Sequence, residues 1–301
     1  MGLGQSAADV RIALTLDSII LPDEYRRIVN PSEQFKPGDP AWYMFEACAS
    51  LPATTRIDTP AAAVMWSQGS DLQLKNLSII NTLLDGVDGS THQAVALRCD
   101  GDRTQLENVR LIGRQDTFFV NAGERATPFN KLGAYATDRA TRVLVQDSHI
   151  EGDTDYVFGR ANAVFERCVF HTVSTRKSDD GVVFAPDTLP GNPFGFLVVD
   201  SRLTGDTGFA GRGMLRLGRS WDQGAGVSGY LPGSSPNGQL LLRNSFIDDS
   251  YGTQSPWGAA ATTRRPHAGN ANRDRVLDDA RFNRLWEYGN YGPGSAQATN
   301  R

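Results

Sequence analysis

Residues 143–150 read VLVQDSHI, and the figure apolar–x–apolar–x–(Asn/Asp)–x–x–apolar behind that octet recurs along the chain. It appears as LQLKNLSI at 72–79, TQLENVRL at 104–111, FLVVDSRL at 196–203 and LLLRNSFI at 240–247. AVFERCVF at 163–170 carries it with Arg167 in place of the polar marker. Alternate apolar residues give the period of a strand with one buried face. The Asn or Asp in the middle suits a bend between two short strands. Two apolar columns are expected inside: Leu74, Leu106, Val145, Phe165, Val198 and Leu242, then Ile79, Leu111, Ile150, Phe170, Leu203 and Ile247. The markers fall at 76, 108, 147, 167, 200 and 244, with a shortest interval of 20 residues. A repeat of about 20 residues built from short strands, with variable insertions, is the pattern of a parallel β-helix. A β-sandwich also has many short strands, but it does not explain one pattern returning in phase.

The repeat sorts the acids of EGDTDYVFG, residues 151–159, where Glu151, Asp153 and Asp155 crowd together. Eight residues after marker Asn108 stands Asp116, and eight after marker Asp147 stands Asp155, each beyond a glycine at position five, Gly113 or Gly152. Neighbouring rungs would stack these two carboxylates on one face roughly 5 Å apart. Asp153 instead aligns with Arg114, and Glu151 with Ile112. Two carboxylates that close do not both ionise freely, so one pKa rises, giving one acid and one anionic nucleophile at neutral pH. Aligned turn residues in solvent remain an equal reading at this point, since Asp is common in turns. A calcium loop is a third, although the DxDxDG-type spacing is absent.

Bulk properties narrow the classes. The 301 residues carry a net charge of −4, with 40% hydrophobic and 21% charged residues, so nucleic acid is not an expected partner. No apolar run approaches the length of a membrane span, and MGLGQSAADV has no signal-peptide pattern. Cys48, Cys99 and Cys168 are far apart without a CxxC, which suits buried thiols rather than zinc or a disulfide framework. His92, His149, His171 and His267 show no metal spacing, and His92 adjoins Gln93. No GxSxG is present, so a serine esterase of the α/β-hydrolase type is not indicated. GLGQSA at 2–7 has no preceding strand and is set aside as a dinucleotide fingerprint. Residues 273–288 have the spacing of an amphipathic C-terminal helix with Val276, Leu277, Ala280 and Trp286 inward.

QAVALR at 93–98, GRQDTFF at 113–119, GDTDYVFG at 152–159, LGRSW at 217–221 and WEYGNYGPGSA at 286–296 stand in the order of the pectin methylesterase signatures. Over residues 60–296 the chain resembles that family, and within it the bacterial envelope-associated branch, which shares the FAP and WEY segments and a long insertion after QDT. The resemblance implies an all-β, right-handed single-stranded parallel β-helix over residues 1–301, with an inserted loop at 121–142 and a C-terminal tail or cap at 262–301. It implies hydrolysis of methyl esters of galacturonan by a monomer without metal or cofactor. Asp155 would be the nucleophile and Asp116 the acid and then base. Gln93 and Gln115 would donate to the oxyanion, and Arg219 would hold Asp155. Trp221, with Phe119 or Tyr156, would stack on sugar rings, while Phe158 belongs in the core. Thr154, Ser220 and Phe184–Ala185–Pro186 depart from the family pattern and leave the ester open. An acyl thioester is the alternative substrate; a glycosidase and a non-catalytic polysaccharide-binding β-helix are the alternatives of other classes. The family places further strands and a capping helix ahead of the segment resembling GLGQ. A truncated N-terminus is therefore expected, with a location in the cell envelope or outside the cell.

Overall fold

The computed structural model describes residues 6–122, 141–268 and 283–296. Its repeating unit is a rung of three short strands. One rung is Arg142–Gln146, His149–Gly152 and Thr154–Gly159. The next is Asn162–Glu166, Val169–Thr172 and Gly181–Pro186, followed by Phe196–Val199, Arg202–Gly205 and Leu215–Gly218. Each strand pairs in parallel with its counterpart one rung away. Towards the N-terminus the first two strands merge into the longer Gln73–Asn81 and Thr104–Ile112. The third strands form a separate six-stranded sheet: Ala63–Ser67, Val95–Cys99, Phe118–Val120, then the three named above. The chain is a parallel β-helix.

All six markers sit in the left-handed region, with φ of 57° at Asn76, 51° at Asn108, 50° at Asp147, 53° at Arg167, 51° at Asp200 and 52° at Asn244. Asn and Asp enter that region more readily than other L-residues. Arg167 keeps the bend while forking its guanidinium onto the marker of the rung before, at 2.8 and 2.9 Å from the two Asp147 carboxylate oxygens. One residue beyond the marker, the hydroxyls of Ser148, Ser201 and Ser245 donate to the carbonyls of Gln146, Val199 and Arg243. They also accept the peptide N–H of Val109, Cys168 and Ser201 on the adjacent rungs. Peptide groups buried at the bend are thereby satisfied without a ladder.

Both expected apolar columns point inward and stack in register: Leu74–Leu106–Val145–Phe165–Val198–Leu242, and Ile79–Leu111–Ile150–Phe170–Leu203–Ile247. Phe165 is the hub, with ring centroids of Phe118, Phe170, Phe184 and Phe196 between 5.7 and 6.3 Å away. Burying such a ring contributes about 1.5–3 kcal/mol. The three cysteines are buried and unpaired, and burial pushes the Cys48 thiol up to about 11.

Beside the β-helix the chain forms two short helices, Pro22–Val29 and Trp42–Ala49. The first opens on Pro22 with Asp23 and Glu24 in its first turn and ends on Arg26 and Arg27, the order the helix dipole favours. Tyr25, Phe45 and Cys48 from the pair pack with Leu16, Ile57 and Ala61 into a second core. The helix expected over 273–288 is corrected where it is described: Arg284–Tyr288 is a strand paired with Gln239–Arg243, and Trp286 lies in it. Parallel pairing over five residues outweighs a 3.6-residue periodicity over so short a segment. Residues 273–282 lie outside the described residues, as do 123–140 of the expected insertion and 269–282 and 297–301 of the expected tail.

Candidate active site

The six-stranded face carries the predicted site residues. Asp116 precedes Phe118–Val120, and Asp155 is the second residue of Thr154–Gly159. Phe118 pairs with Val157 and the Asp116 N–H donates to the Thr154 carbonyl at 3.0 Å, so the two aspartates occupy matching places on adjacent rungs. Both hold strained backbone, with φ of 66° at Asp116 and 48° at Asp155. Such outliers cost on the order of 1–3 kcal/mol and persist where the surroundings impose them. Gly152 is required beside them: a Cβ there would lie 2.3 Å from that of Tyr156 and 2.6 Å from the Arg114 carbonyl.

A β-bulge accompanies Asp155. Thr154 pairs with Val182 and Val157 with Phe184, so three steps on one strand match two on the other. The extra residue shifts the in–out alternation by one. One expectation is thereby corrected. Tyr156 is no sugar platform: it is fully buried in the main core, with its hydroxyl on Thr172 at 3.1 Å. Phe158 is buried as expected, in a small core cluster with Phe119, Val95 and Ala185 against which Trp221 packs. Phe119 is also corrected, being fully buried and stacked on Phe158 at 4.3 Å. Trp221 stays partly exposed, edge-on to Phe158 at 5.4 Å and Phe119 at 6.0 Å.

The three acids of 151–155 are committed to three different arginines. Glu151 meets Arg114 at 2.9 Å. Asp153, at the bend between His149–Gly152 and Thr154–Gly159, is fully buried and held by Arg176 at 2.9 and 3.2 Å. Asp155 receives Arg219 in a fork, Nε to Oδ1 at 2.8 Å and Nη2 to Oδ2 at 2.6 Å. Their carboxylates do not converge, which removes the calcium-loop reading of this stretch. Among the described residues no group of three or more potential metal ligands assembles anywhere. No arginine among the described residues forks Asp116. Burial first, then the negative charge of Asp155, raises its pKa well above the usual carboxylate value, with Arg219 opposing in part. Burial works against the Arg219 guanidinium, but the charge and hydrogen bonds of Asp155 outweigh it and raise its pKa. The face therefore offers a proton-holding carboxyl beside an arginine-bound carboxylate.

Gln93 and Gln115 form a parallel bridge on adjacent rungs. The Gln93 Oε1 accepts from Ser18 Oγ at 2.6 Å, and the Gln115 Oε1 accepts the His92 N–H at 3.2 Å. Each amide thus has its acceptor occupied and its Nε2 donors uncommitted to any described residue. His92 is fixed in turn by Asp17, Nδ1 to Oδ2 at 2.6 Å. Asp17 and Ser18 were not anticipated, because they lie 75 residues from their partners in sequence and ahead of the recognisable motifs. Of the departures, Ser220 is fully buried and its hydroxyl accepts Gly238 N–H at 3.0 Å and Asn283 Nδ2 at 2.7 Å. Pro186 offers its carbonyl to the Trp221 N–H at 3.1 Å. A 420 Å³ pocket bordered by Arg216, Arg219, Trp257 and Arg264 adjoins the site.

A parallel β-helix bearing an in-register aspartate pair, one member forked by arginine, on its six-stranded face defines the structural class. No protein-family model matches the chain. It is 57% identical over 287 residues to pectinesterase B of Dickeya dadantii, covering 95% of this chain and 65% of that protein. Identity is also 57% over 289 residues to pectinesterase B of Pectobacterium parmentieri, covering 96% and 70%. The crystal structure of Escherichia coli YbhC superposes with a TM-score of 0.86 at 41% identity, covering 97% of this chain and 70% of that one. The chain belongs to the pectinesterase family. It spans about two thirds of the length of these relatives.

Proposed function

We propose that the protein hydrolyses methyl esters of galacturonan, releasing methanol. The observation that carries this reading is the pair itself: Asp116, its pKa raised by burial and by its neighbour, in register with Asp155 in the grip of Arg219. The Asp155 carboxylate attacks the ester carbonyl carbon, and the oxyanion that forms is met by the Nε2 donors of Gln93 and Gln115. Asp116 gives its proton to the departing methoxyl oxygen, methanol leaves, and the galacturonyl group remains on Asp155 as an acyl-enzyme. Asp116, now anionic, takes a proton from water, whose hydroxide attacks the acyl carbon and frees the galacturonate and the Asp155 carboxylate. Arg219 fixes the attacking oxygens by its planar fork. Trp221 provides the exposed aromatic face for a sugar ring, with Phe158 and Phe119 buttressing it from below.

The partner is a methyl-esterified pectic polysaccharide and the chain acts as a monomer, in the cell envelope or outside the cell, where such polymers are met. No helix among the described residues is long and apolar enough to cross a membrane. One relative favours a second substrate: E. coli YbhC, 43% identical over 302 residues, is described as a putative acyl-CoA thioester hydrolase. The same carboxylate pair would attack a thioester. Methanol release from highly methylated pectin, set beside thiol release from short acyl thioesters, tests the proposal. Thiol release without methanol would overturn it in favour of the thioester, and reducing-end release in favour of a glycosidase.

A further inference from the structure

The two glutamines aim their amides through contacts that converge on one dipeptide near the start of the described chain. A glutamine amide presents two donors on one side and a carbonyl acceptor on the other, and rotation by 180° exchanges them. At an oxyanion the wrong rotamer replaces a donor with a repelling lone pair, so a site built on two glutamines must fix both amides. Ser18 is buried, and its hydroxyl donates to Gln93 Oε1 at 2.6 Å. Its backbone is tied on both sides, its N–H to the Gln93 carbonyl at 3.0 Å and its own carbonyl to the Asp58 N–H at 2.9 Å. Asp17, next to it and also buried, accepts the Ile19 N–H with one oxygen at 3.3 Å and holds His92 Nδ1 with the other at 2.6 Å. His92 Nε2 lies 3.5 Å from the exposed carboxylate of Asp88. The backbone N–H of that same His92 then donates to Gln115 Oε1 at 3.2 Å.

We infer that Asp17–Ser18 is a positioning element for both oxyanion donors: Ser18 sets the Gln93 amide directly, and Asp17 sets the Gln115 amide through His92. This rests on the esterase reading in that it assigns the freed Nε2 groups to the oxyanion. The dipeptide touches no reacting atom. It occupies the carbonyl side of each amide with a donor, which leaves only the orientation with Nε2 presented to substrate. The arrangement also explains why a segment outside the repeat pattern holds two buried polar residues against the six-stranded face.

The test is a double-mutant comparison on methylated pectin. Ser18→Ala removes the donor from Gln93 and is expected to lower kcat about three- to tenfold, the equivalent of a hydrogen bond of about 1 kcal/mol, with KM changed less than about twofold. Ser18→Thr, which keeps the hydroxyl, restores most of that loss. In a Gln93→Ala background, Ser18→Ala has no further effect on kcat, because the amide it positions is gone. Asp17→Ala behaves in the same way towards Gln115→Ala. A loss that multiplies undiminished in the Gln→Ala backgrounds would show that the dipeptide only supports the fold, and would overturn the inference. Side-chain amide NMR keeps the two proposals separable. Distinct Gln93 and Gln115 NεH2 resonances that exchange-broaden in Ser18→Ala and Asp17→Ala respectively support the positioning whatever the substrate, whereas unaltered resonances refute it. A parent protein that releases no methanol contradicts the esterase reading alone.

Discussion

Removing the guanidinium of Arg219 exposes how far the site depends on one ion pair. Both partners are largely shielded, with 16% of the Arg219 and 11% of the Asp155 side chain accessible, and the fork makes two charge-assisted bonds of 2.8 and 2.6 Å. Each such bond contributes about 1.5–3 kcal/mol, and breaking a buried pair from one side costs about 3–5 kcal/mol because the other charge is left unpaired. Arg219→Ala is therefore expected to lose about 3–5 kcal/mol of stability. Arg219→Lys keeps the charge but not the planar fork and loses less. The double variant Asp155→Ala/Arg219→Ala removes the stranded charge, so it should be more stable than Arg219→Ala alone, with a coupling of about 2–4 kcal/mol. Urea denaturation of the parent, Asp155→Ala, Arg219→Ala and the double variant, with midpoints compared at constant slope, measures this. Losses that add to within about 0.5 kcal/mol would refute the reasoning, since independent sites behave that way.

Four further outcomes are expected. Asp116 binds its proton more tightly in the folded chain than in the unfolded one, so its stabilising contribution is complete below about pH 4 and is lost as pH rises through the raised folded value. Asp116→Asn should thus match the parent in thermal melts near pH 4 and exceed it increasingly towards neutral pH; a constant difference across that range would contradict the assignment. Trp221→Ala should raise KM for oligogalacturonide esters roughly tenfold, about 1.4 kcal/mol, with little change in kcat. Steady-state kinetics with an unchanged KM would remove Trp221 from the substrate surface. Phe165→Ala opens the centre of the aromatic core and should cost about 3–5 kcal/mol in urea denaturation. Phe194→Ala, at a ring 59% exposed, should stay within about 0.5 kcal/mol of the parent.

The repeat was legible because six bends share one backbone conformation, and Asn and Asp at five of them reveal it in the sequence. Arg167 shows the limit of that signal. Its φ of 53° matches the others, but the ion pair to Asp147 that accompanies it there joins residues on neighbouring rungs. Counting from the markers placed Asp116 against Asp155 because no insertion falls between marker and carboxylate on either rung. Alternation does not carry past Asp155, where the bulge turns Tyr156 and Val157 both inward and places Phe158 in the small buried cluster with Phe119. Alternation carries no trace of a bulge until two strands are laid side by side. The burial of Asp153 was not legible because its partner Arg176 comes 23 residues later. Asp17 and Ser18 carry no local pattern at all, and their roles exist only through contacts closed across 75 residues.

The central claim is that Asp155 and Asp116 divide the chemistry of ester cleavage between them. It is tested most directly by methanol release from highly methylated pectin, measured for the parent, Asp155→Ala and Asp116→Asn under the same conditions. The parent should release methanol, and each variant should fall by at least about a thousandfold in kcat, about 4 kcal/mol of lost transition-state stabilisation. Full activity in both variants would contradict the assignment of the reaction to this pair.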